Sequence, residues 1–394
     1  MTCPRRAYKP TSIYIYMQPR TIHIQDLPIN EIYIDLNDEF RIEIINQAKS
    51  KLKGTSKLAK YLKTKAHNIH EWKKGISKWK GKKSRRFLPL NKILKISKLL
   101  YNKEELERNI IAIRGPGNGR VIKTRFPWKE DERIIRIVSH IIGDGYGAEF
   151  RTGGLPYYRN TSEVLREQFK KDLKFFGTVP TNLNIDMLQF PKVISYILKH
   201  LYKIEFDTYN SRVPDILYNL PEKFAGEFLK AFFDDEGSVD SSRVKVTSFN
   251  SNLINDIKEL IKIKFPKIYN NTTEIRRTKT ILNGKLFQGY YFSVLSRGLQ
   301  EYKNKISFNH TSKKLRLEHA LICSKNGSKT KGKNITRSNI LETLKEKPQT
   351  AYELALKLNI TREAISYSIN KLKEESLVQE HSKGKYDSII WSLK

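Results

Sequence analysis

Two stretches of this chain carry an apolar run that ends on an acid followed by glycine. The first is Ile137-Val-Ser-His-Ile-Ile-Gly-Asp-Gly145 and the second is Leu229-Lys-Ala-Phe-Phe-Asp-Asp-Glu-Gly237. Each reads as an apolar helix stopped by its glycine. A carboxylate there meets the negative end of the helix dipole and is disfavoured unless something positive joins it. A divalent cation supplies that charge, and two such helix ends brought together can share metal between them. One Asp-Gly is a common turn. Two acids in equivalent places are a pattern.

The elements that must position them follow the same plan twice. After the first acid comes Tyr157-Tyr-Arg-Asn-Thr-Ser-Glu-Val-Leu165, running on to Phe169. After the second comes Val244-Lys-Val-Thr-Ser-Phe-Asn-Ser-Asn-Leu253, running on to Ile257. Each unit is thus an acid-tipped helix, a basic β-stretch, and a second amphipathic helix capped by Asn, Thr or Ser. Period-two alternation puts Arg243, Lys245 and Thr247 on one face of a strand while Val244 and Val246 face the core.

Gly143-Asp144-Gly145 and Phe233-Asp-Asp-Glu-Gly237 resemble the paired motifs of the LAGLIDADG homing endonucleases, in their two-motif single-chain form. The resemblance covers residues 125–322, including Val213-Pro214 and the stretch from Ile306 to Leu315. It implies an α+β class with a pseudo-twofold core of two αββαββα repeats, whose sheets are saddles in the DNA major groove. It also implies Mg²⁺, or another divalent cation such as Mn²⁺, bound by the last acid of each motif, and double-strand cleavage across the minor groove. Carried over, the metal ligands are Asp144 and Glu236, with the backbone carbonyls of Gly143 and Asp235 beside them. Oxygen donors of this kind suit Mg²⁺.

By the same match Lys313, with Lys314 adjacent, falls where the family's second-repeat lysine stands and is assigned a catalytic role. The first repeat offers only Arg212 nearby. Groove contacts fall on Arg151, Tyr157 and Arg159 in the first repeat, and on Arg243, Lys245, Thr247, Arg276, Arg277 and Lys279 in the second. Ser139, Gly143 and Ala231 meet the need for small residues between close helices. Asp235 departs from it, standing where Gly or Ala is common. His140 is expected to be a hydrogen-bonded interface residue, and Asp234 to be structural.

Composition agrees with a polyanionic partner. The 394 residues hold 74 Lys+Arg against 41 Asp+Glu, a net charge of +33. Such self-repulsion destabilises a compact chain unless a polyanion relieves it, with nucleic acid the first candidate and an acidic membrane the second. A Lys-, Ile- and Asn-rich chain also arises from an AT-rich genome. With 39% hydrophobic and 11% aromatic residues, a folded core is expected. No apolar run is long enough to span a bilayer, and no secretory signal is evident. A cytoplasmic, nucleoid-associated location is expected if the source is prokaryotic. Cys3 and Cys323 exclude a disulfide scaffold, and no Cys/His spacing of a zinc site is read.

The flanks read as further nucleic-acid modules. Alternation over Ser12–Tyr16 and Arg20–Ile24 predicts a strand or hairpin, with Met17 a second possible start. Basic helical pattern runs from Glu39 to Leu100. Within it Ser56–Leu62, capped by Thr55 or Ser56, and Ala66–Gly75 resemble a helix-turn-helix, and Lys78–Arg86 reads as a solvated basic loop. Arg114–Gly119 is a turn-rich break. Ser324–Lys333 reads as a flexible basic linker. Beyond it, helices over Arg337–Leu344, Ala351–Leu358 (capped by Thr350) and Arg362–Glu375 (capped by Thr361) precede a β-hairpin. This resembles a winged helix, with Arg362, Ser366, Asn370 and Lys373 on its recognition helix. The expected organisation is an N-terminal helical helix-turn-helix-like domain (1–118), a homing endonuclease domain (119–323), a linker (324–334) and a winged helix-turn-helix (335–394).

A monomeric, Mg²⁺-dependent, site-specific double-strand DNA endonuclease is therefore the leading expectation. The alternatives are a non-catalytic DNA-binding regulator on the same fold and a maturase acting on intron RNA. A glycosidase using paired carboxylates fits the basic surface poorly. Lacking a splicing nucleophile at its start and a terminal His-Asn pair, the chain is not expected to be an intein.

Overall fold

The computed structural model describes residues 18–79, 82–100, 102–117, 119–147, 154–240, 242–282, 285–326, 333–383 and 389–394. The expected strand over Ser12–Tyr16 lies outside these residues. Buried apolar side chains form one continuous core from Ile22 to Leu321 and a second, separate core from Ile340 to Trp391. No helix among the described residues is long and apolar enough to cross a membrane.

The N-terminal part is mixed rather than helical. Its four-stranded antiparallel sheet runs in the order Leu88–Pro89, Tyr33–Leu36, Ile110–Arg114, Ile122–Lys123. These strands are two to five residues long, too short to show alternation, and partners lie far apart in sequence. The turn-rich Arg114–Gly119 stretch joins two strands of this one sheet. Helices Thr55–Tyr61 and Ala66–Lys74 stand where the spacing put them, although Gly54, not Thr55 or Ser56, occupies the N-cap. Gly75, at φ 67°, closes the second helix in the left-handed conformation.

The basic stretch expected to be a loop is instead a hairpin, Ile76–Trp79 against Lys82–Arg85. Its base is pinned. Arg85 donates to Asp35 Oδ2 at 2.9 Å and to Asp38, and the buried Arg41 bonds the same two carboxylates. Two ion pairs from Arg85, to carboxylates that two more from Arg41 hold in place, thus order the base of a segment whose composition alone reads as solvated.

The middle of the chain holds two units with the same order of main elements, the second with an added short helix, Pro266–Tyr269, before its third strand. The first unit is helix Glu132–Asp144, strands Gly145–Tyr146 and Tyr157–Arg159, helix Glu163–Asp172, strands Asn182–Asn184 and Met187–Gln189, and helix Lys192–Tyr202. The second is helix Glu222–Glu236, strands Gly237–Val239 and Arg243–Ser248, helix Ser251–Lys264, strands Arg276–Leu282 and Lys285–Leu295, and helix Leu299–Lys305. In both four-stranded antiparallel sheets the second strand of the unit pairs with the first and the fourth, and the third lies at the edge.

The C-terminal unit holds helices Lys333–Glu346, Ala351–Leu358 and Arg362–Glu374 and a sheet ordered Gln349–Thr350, Ile389–Leu393, Val378–Lys383. Thr350 and Glu353 form a capping box, and Thr361 accepts from the Ala364 amide. Helix Thr311–Asn326 runs into the segment expected to be a linker, and residues 327–332 are outside the described set.

Both acid–glycine junctions turn directly from helix to strand, so the glycines are required by proximity and not by a positive φ. A Cβ on Gly145 would lie 2.4 Å from Ile141 Cα, and one on Gly237 2.4 Å from the Phe233 carbonyl. Gly145→Ala or Gly237→Ala should therefore cost about 1–3 kcal/mol through overpacking, read as a lower urea midpoint by circular dichroism. Gly154→Ala, with nothing within 4 Å of an added Cβ, should leave the midpoint unchanged.

Candidate functional site: paired helix ends

The two acid-bearing helices pack along their lengths and end side by side. Close approach is built from small groups, as the sequence requires. Ser139 Oγ donates to the Phe228 carbonyl at 2.7 Å, and Ala231 is fully buried. A Cβ on Gly143 would fall 2.9 Å from Asp235 Cβ, so the glycine makes the room that the larger Asp235 takes. Arg136 clamps the pair. Its guanidinium holds Asp172 through two bonds of 2.6 and 2.8 Å and reaches Glu227 on the second helix at 2.7 Å.

Asp235 is the hub of the junction. Its side chain has no exposure, and it accepts from the Tyr158 hydroxyl at 2.7 Å. His140 Nδ1 lies 2.9 Å from its other oxygen, where one proton serves both groups. Burial drives the Asp235 carboxyl well above the carboxylate range and pulls His140 down. His140 Nε2 has no hydrogen-bond partner among the described residues. Asn160 links the hub to the first acid: its amide donates to Asp144 Oδ2 at 2.8 Å and to Asp235 Oδ1 at 3.3 Å, while its carbonyl accepts from the Ser162 amide at 2.9 Å. Asp234 serves the backbone, accepting from the Asn309 and His310 amides.

Lys313 points into the junction and Lys314 outward, which separates two residues that adjacency in sequence cannot. The Lys313 ammonium donates to the carbonyls of Phe233, Asp234 and Asp235 at 3.3, 2.5 and 3.2 Å. It thereby satisfies the open C-terminal carbonyls of the second helix and offsets the dipole there.

The terminal acids remain short of positive charge. Burial, and then the Asp235 charge, push Asp144 up to about 7; burial, then Asp144 and Asp235, push Glu236 up to about 8. Each acid opens into its own cavity. Asp144 shares one with Asp235, Asn160, Arg159 and Lys313, and Glu236 shares the other with Gly143, Tyr146 and Thr247. Each cavity therefore pairs the acid of one helix with the residue that precedes the acid of the other.

The remaining predicted positions fall around these cavities in different ways. The Tyr157 ring packs tilted against that of Tyr146, and exposed Arg159 pairs with Asp186 at 2.9 Å. Arg151 lies outside the described residues. Strand register places Thr247, Tyr291 and Arg276 in one row, on the face that also carries Arg243 and Lys245. Lys245 Nζ sits 4.2 Å from the Tyr291 ring centre, and Arg243 pairs with Asp240. Arg277 and Lys279 are exposed but project from the opposite parity of their strand. Arg212 is held by Asp256 through bonds of 2.5 and 2.7 Å. Ser366 is half-buried, and the Arg362 guanidinium lies 4.8 Å from the Tyr352 ring centre.

Sequence reasoning passed over Tyr158 and Asn160 as partners of the acids, although both sit in the stretch it matched between the repeats. It also read no Cys/His spacing. His319 and Cys323 are in fact one turn apart on helix Thr311–Asn326, with Glu363 beside them.

Comparison with known proteins divides along the chain. Residues 334–380 match the bacterial regulatory protein family arsR. The transcriptional repressor SdpR of Bacillus subtilis (strain 168) is 35% identical over 69 residues, which are 15% of this chain and 77% of that protein. The DNA polymerase II large subunit of Thermococcus kodakarensis is 26% identical over 139 residues, 34% of this chain, and a DNA polymerase of Thermococcus litoralis is 26% identical over 193 residues, 47% of this chain. The chain spans only 8% and 11% of the length of those two polymerases. Among solved structures, the homing endonuclease I-WcaI bound to its DNA recognition sequence aligns over 44% of this chain and 80% of its own at a TM-score of 0.29, with 12% identity. I-DmoI in complex with DNA and Mn aligns over 44% and 96% at 0.29, with 14% identity.

An acid whose folded pKa lies above its unfolded value holds its proton more tightly when folded. The stability tied to that proton is full in acid and is lost as pH rises from about 4 through the folded values, here about 7 and 8 for Asp144 and Glu236. Metal-free protein should accordingly melt at a lower temperature at pH 8 than at pH 5.5. Asp144→Asn and Glu236→Gln should each flatten that slope and raise the melting temperature at pH 8 by a few degrees. Slopes identical to the parent would contradict buried, proton-holding acids.

Proposed function

We propose that this chain, whose residues 334–380 are a helix-turn-helix domain of the arsR type, is a divalent-cation-dependent, site-specific DNA endonuclease of the LAGLIDADG homing class. In this reading the two repeated units are a pseudo-twofold core between an N-terminal DNA-binding unit and a C-terminal winged helix. The observation that carries the reading is the crossed pairing at the helix ends: Asp144 opens beside Asp235, and Glu236 beside Gly143. Buried carboxylates that rise to about 7 and 8 are a poor way to end two packed helices. They are a fitting way to hold a cation.

The donor set is all oxygen, namely two carboxylates with neighbouring backbone carbonyls, and suits Mg²⁺ or Mn²⁺. Asp144 with the carbonyl of Asp235, and Glu236 with that of Gly143, would hold a cation in their respective cavities. Once bound, the cation supplies Lewis-acid stabilisation of charge on the scissile phosphate. The chain's own residues do the rest. Asn160 orients the Asp144 carboxylate, Lys313 holds the second helix end against like charge, and Tyr158 with His140 fixes Asp235. The row of Arg243, Lys245, Thr247 and Arg276 faces out from its sheet and would track the phosphates and base edges of a groove. The +33 charge draws DNA to that face.

A second reading has its own support: the arsR-type domain and the likeness to a repressor fit a DNA-binding regulator that does not cut. Selection of cleaved sites from a genomic DNA library with Mg²⁺ separates the two. The nuclease reading expects a defined cleaved site, with Asp144→Asn and Glu236→Gln abolishing cleavage while binding persists. Specific binding without cleavage in Mg²⁺ or Mn²⁺ supports the regulator. For the DNA face, Lys245→Ala or Arg276→Ala should lower affinity across sequences and reduce the salt slope by about 1. A slope that does not move would take DNA off that face.

A further inference from the structure

We infer that His319, Cys323 and Glu363 form a site for a thiophilic divalent cation of the Zn²⁺ class, where the helix that follows the two repeated units meets the recognition helix of the C-terminal unit. The site is separate from the acid pair and does not depend on the nuclease reading. His319 and Cys323 stand four residues apart on helix Thr311–Asn326 and so share a face. Glu363 comes from the first turn of helix Arg362–Glu374. One ligand atom from each of the three lies within 4.8 Å of the other two.

The spacing of Cys323 and His319 is that of two ligands on one ion. Cys323 Sγ is 3.6 Å from His319 Nε2 and 3.8 Å from Nδ1. Zn–S and Zn–N bonds of about 2.3 and 2.0 Å at a tetrahedral angle imply an S···N edge of about 3.5 Å. Thiolate, imidazole and carboxylate together favour zinc over magnesium, which prefers oxygen alone. Three protein ligands leave a fourth position for water.

The imidazole is already aimed. His319 is 2% exposed, the Tyr352 ring meets it edge-on with centres 5.5 Å apart, and its Nε2 accepts from the Arg362 amide at 2.5 Å. A neutral imidazole has one lone-pair nitrogen, so the cation takes the place of that amide, which stands at the helix N-terminus and has no carbonyl partner within its helix. The Cys323 thiol loses its proton to solvent as it binds. The guanidiniums of Arg316 and Arg362, both over the Tyr352 ring, oppose a cation. The thiolate and the Glu363 carboxylate offset them. A bound ion ties Glu363 to His319 and Cys323, and with it the start of the recognition helix to the core.

Co²⁺ titrated into the full chain tests this, because cobalt bound through sulfur gives a thiolate charge-transfer band that an all-oxygen site cannot give. The site predicts that band at one equivalent, abolished by Zn²⁺ competition, lost in Cys323→Ser and in His319→Ala, and retained in Cys3→Ser and in Asp144→Asn/Glu236→Gln. Zn²⁺ should also raise the melting temperature of the parent and not of Cys323→Ser, so a folded but unresponsive variant is recognised as such. Absence of the band in the parent, or its persistence in Cys323→Ser, would overturn the site.

Discussion

The structure depends on a conflict of like charge at one point. Two packed helices end together, each contributing a negative dipole end, and each ends on an acid that burial makes harder to ionise. Four carboxyls, Asp144, Asp234, Asp235 and Glu236, crowd the junction and all are pushed upward. A fold that gained nothing from such a place would fill it with apolar side chains, which pack two helices at no electrostatic cost.

The surrounding residues answer the conflict unevenly. Asp234, buried in its helix, is satisfied by two backbone amides. Asp235 shares a proton with His140 and takes the Tyr158 hydroxyl, so it costs little as a neutral group. Asp144 receives one amide bond from Asn160. Lys313 is spent on three carbonyls rather than on a carboxylate. Asp144 and Glu236 are thus the acids with the least help from the protein, and they are where an external cation would gain most.

Local pattern was enough to find the parts that local pattern encodes. The acid–glycine pairs, the small residues Ser139 and Gly143, the capped helices of the C-terminal unit and the alternation of Arg243 with Val244 all depend on spacings within one element. What escaped depends on distant segments meeting. The N-terminal sheet joins strands too short to alternate, and the basic hairpin is ordered by Asp35 and Asp38 from another part of the chain. Arg277 and Lys279 stand on the parity opposite Arg276, and only the pairing of Arg276 with Tyr291, and of Tyr291 with Thr247, shows which parity shares the face of Lys245. Tyr158 goes unnoticed in the sequence because its partner, Asp235, lies 77 residues away. His319 and Cys323 gain meaning only when Glu363 arrives from beyond residues 327–332.

The central claim is that Asp144 and Glu236 are an acid pair held protonated by burial until a cation takes the protons' place. Calorimetric titration of Mg²⁺ or Mn²⁺ at pH 7, repeated in buffers of different ionisation enthalpy, measures that exchange directly. The account predicts that protons are released on binding, that release shrinks as pH rises past about 8, and that Asp144→Asn with Glu236→Gln removes both binding and release. Cation binding that releases no protons, or that survives the double substitution, would contradict it.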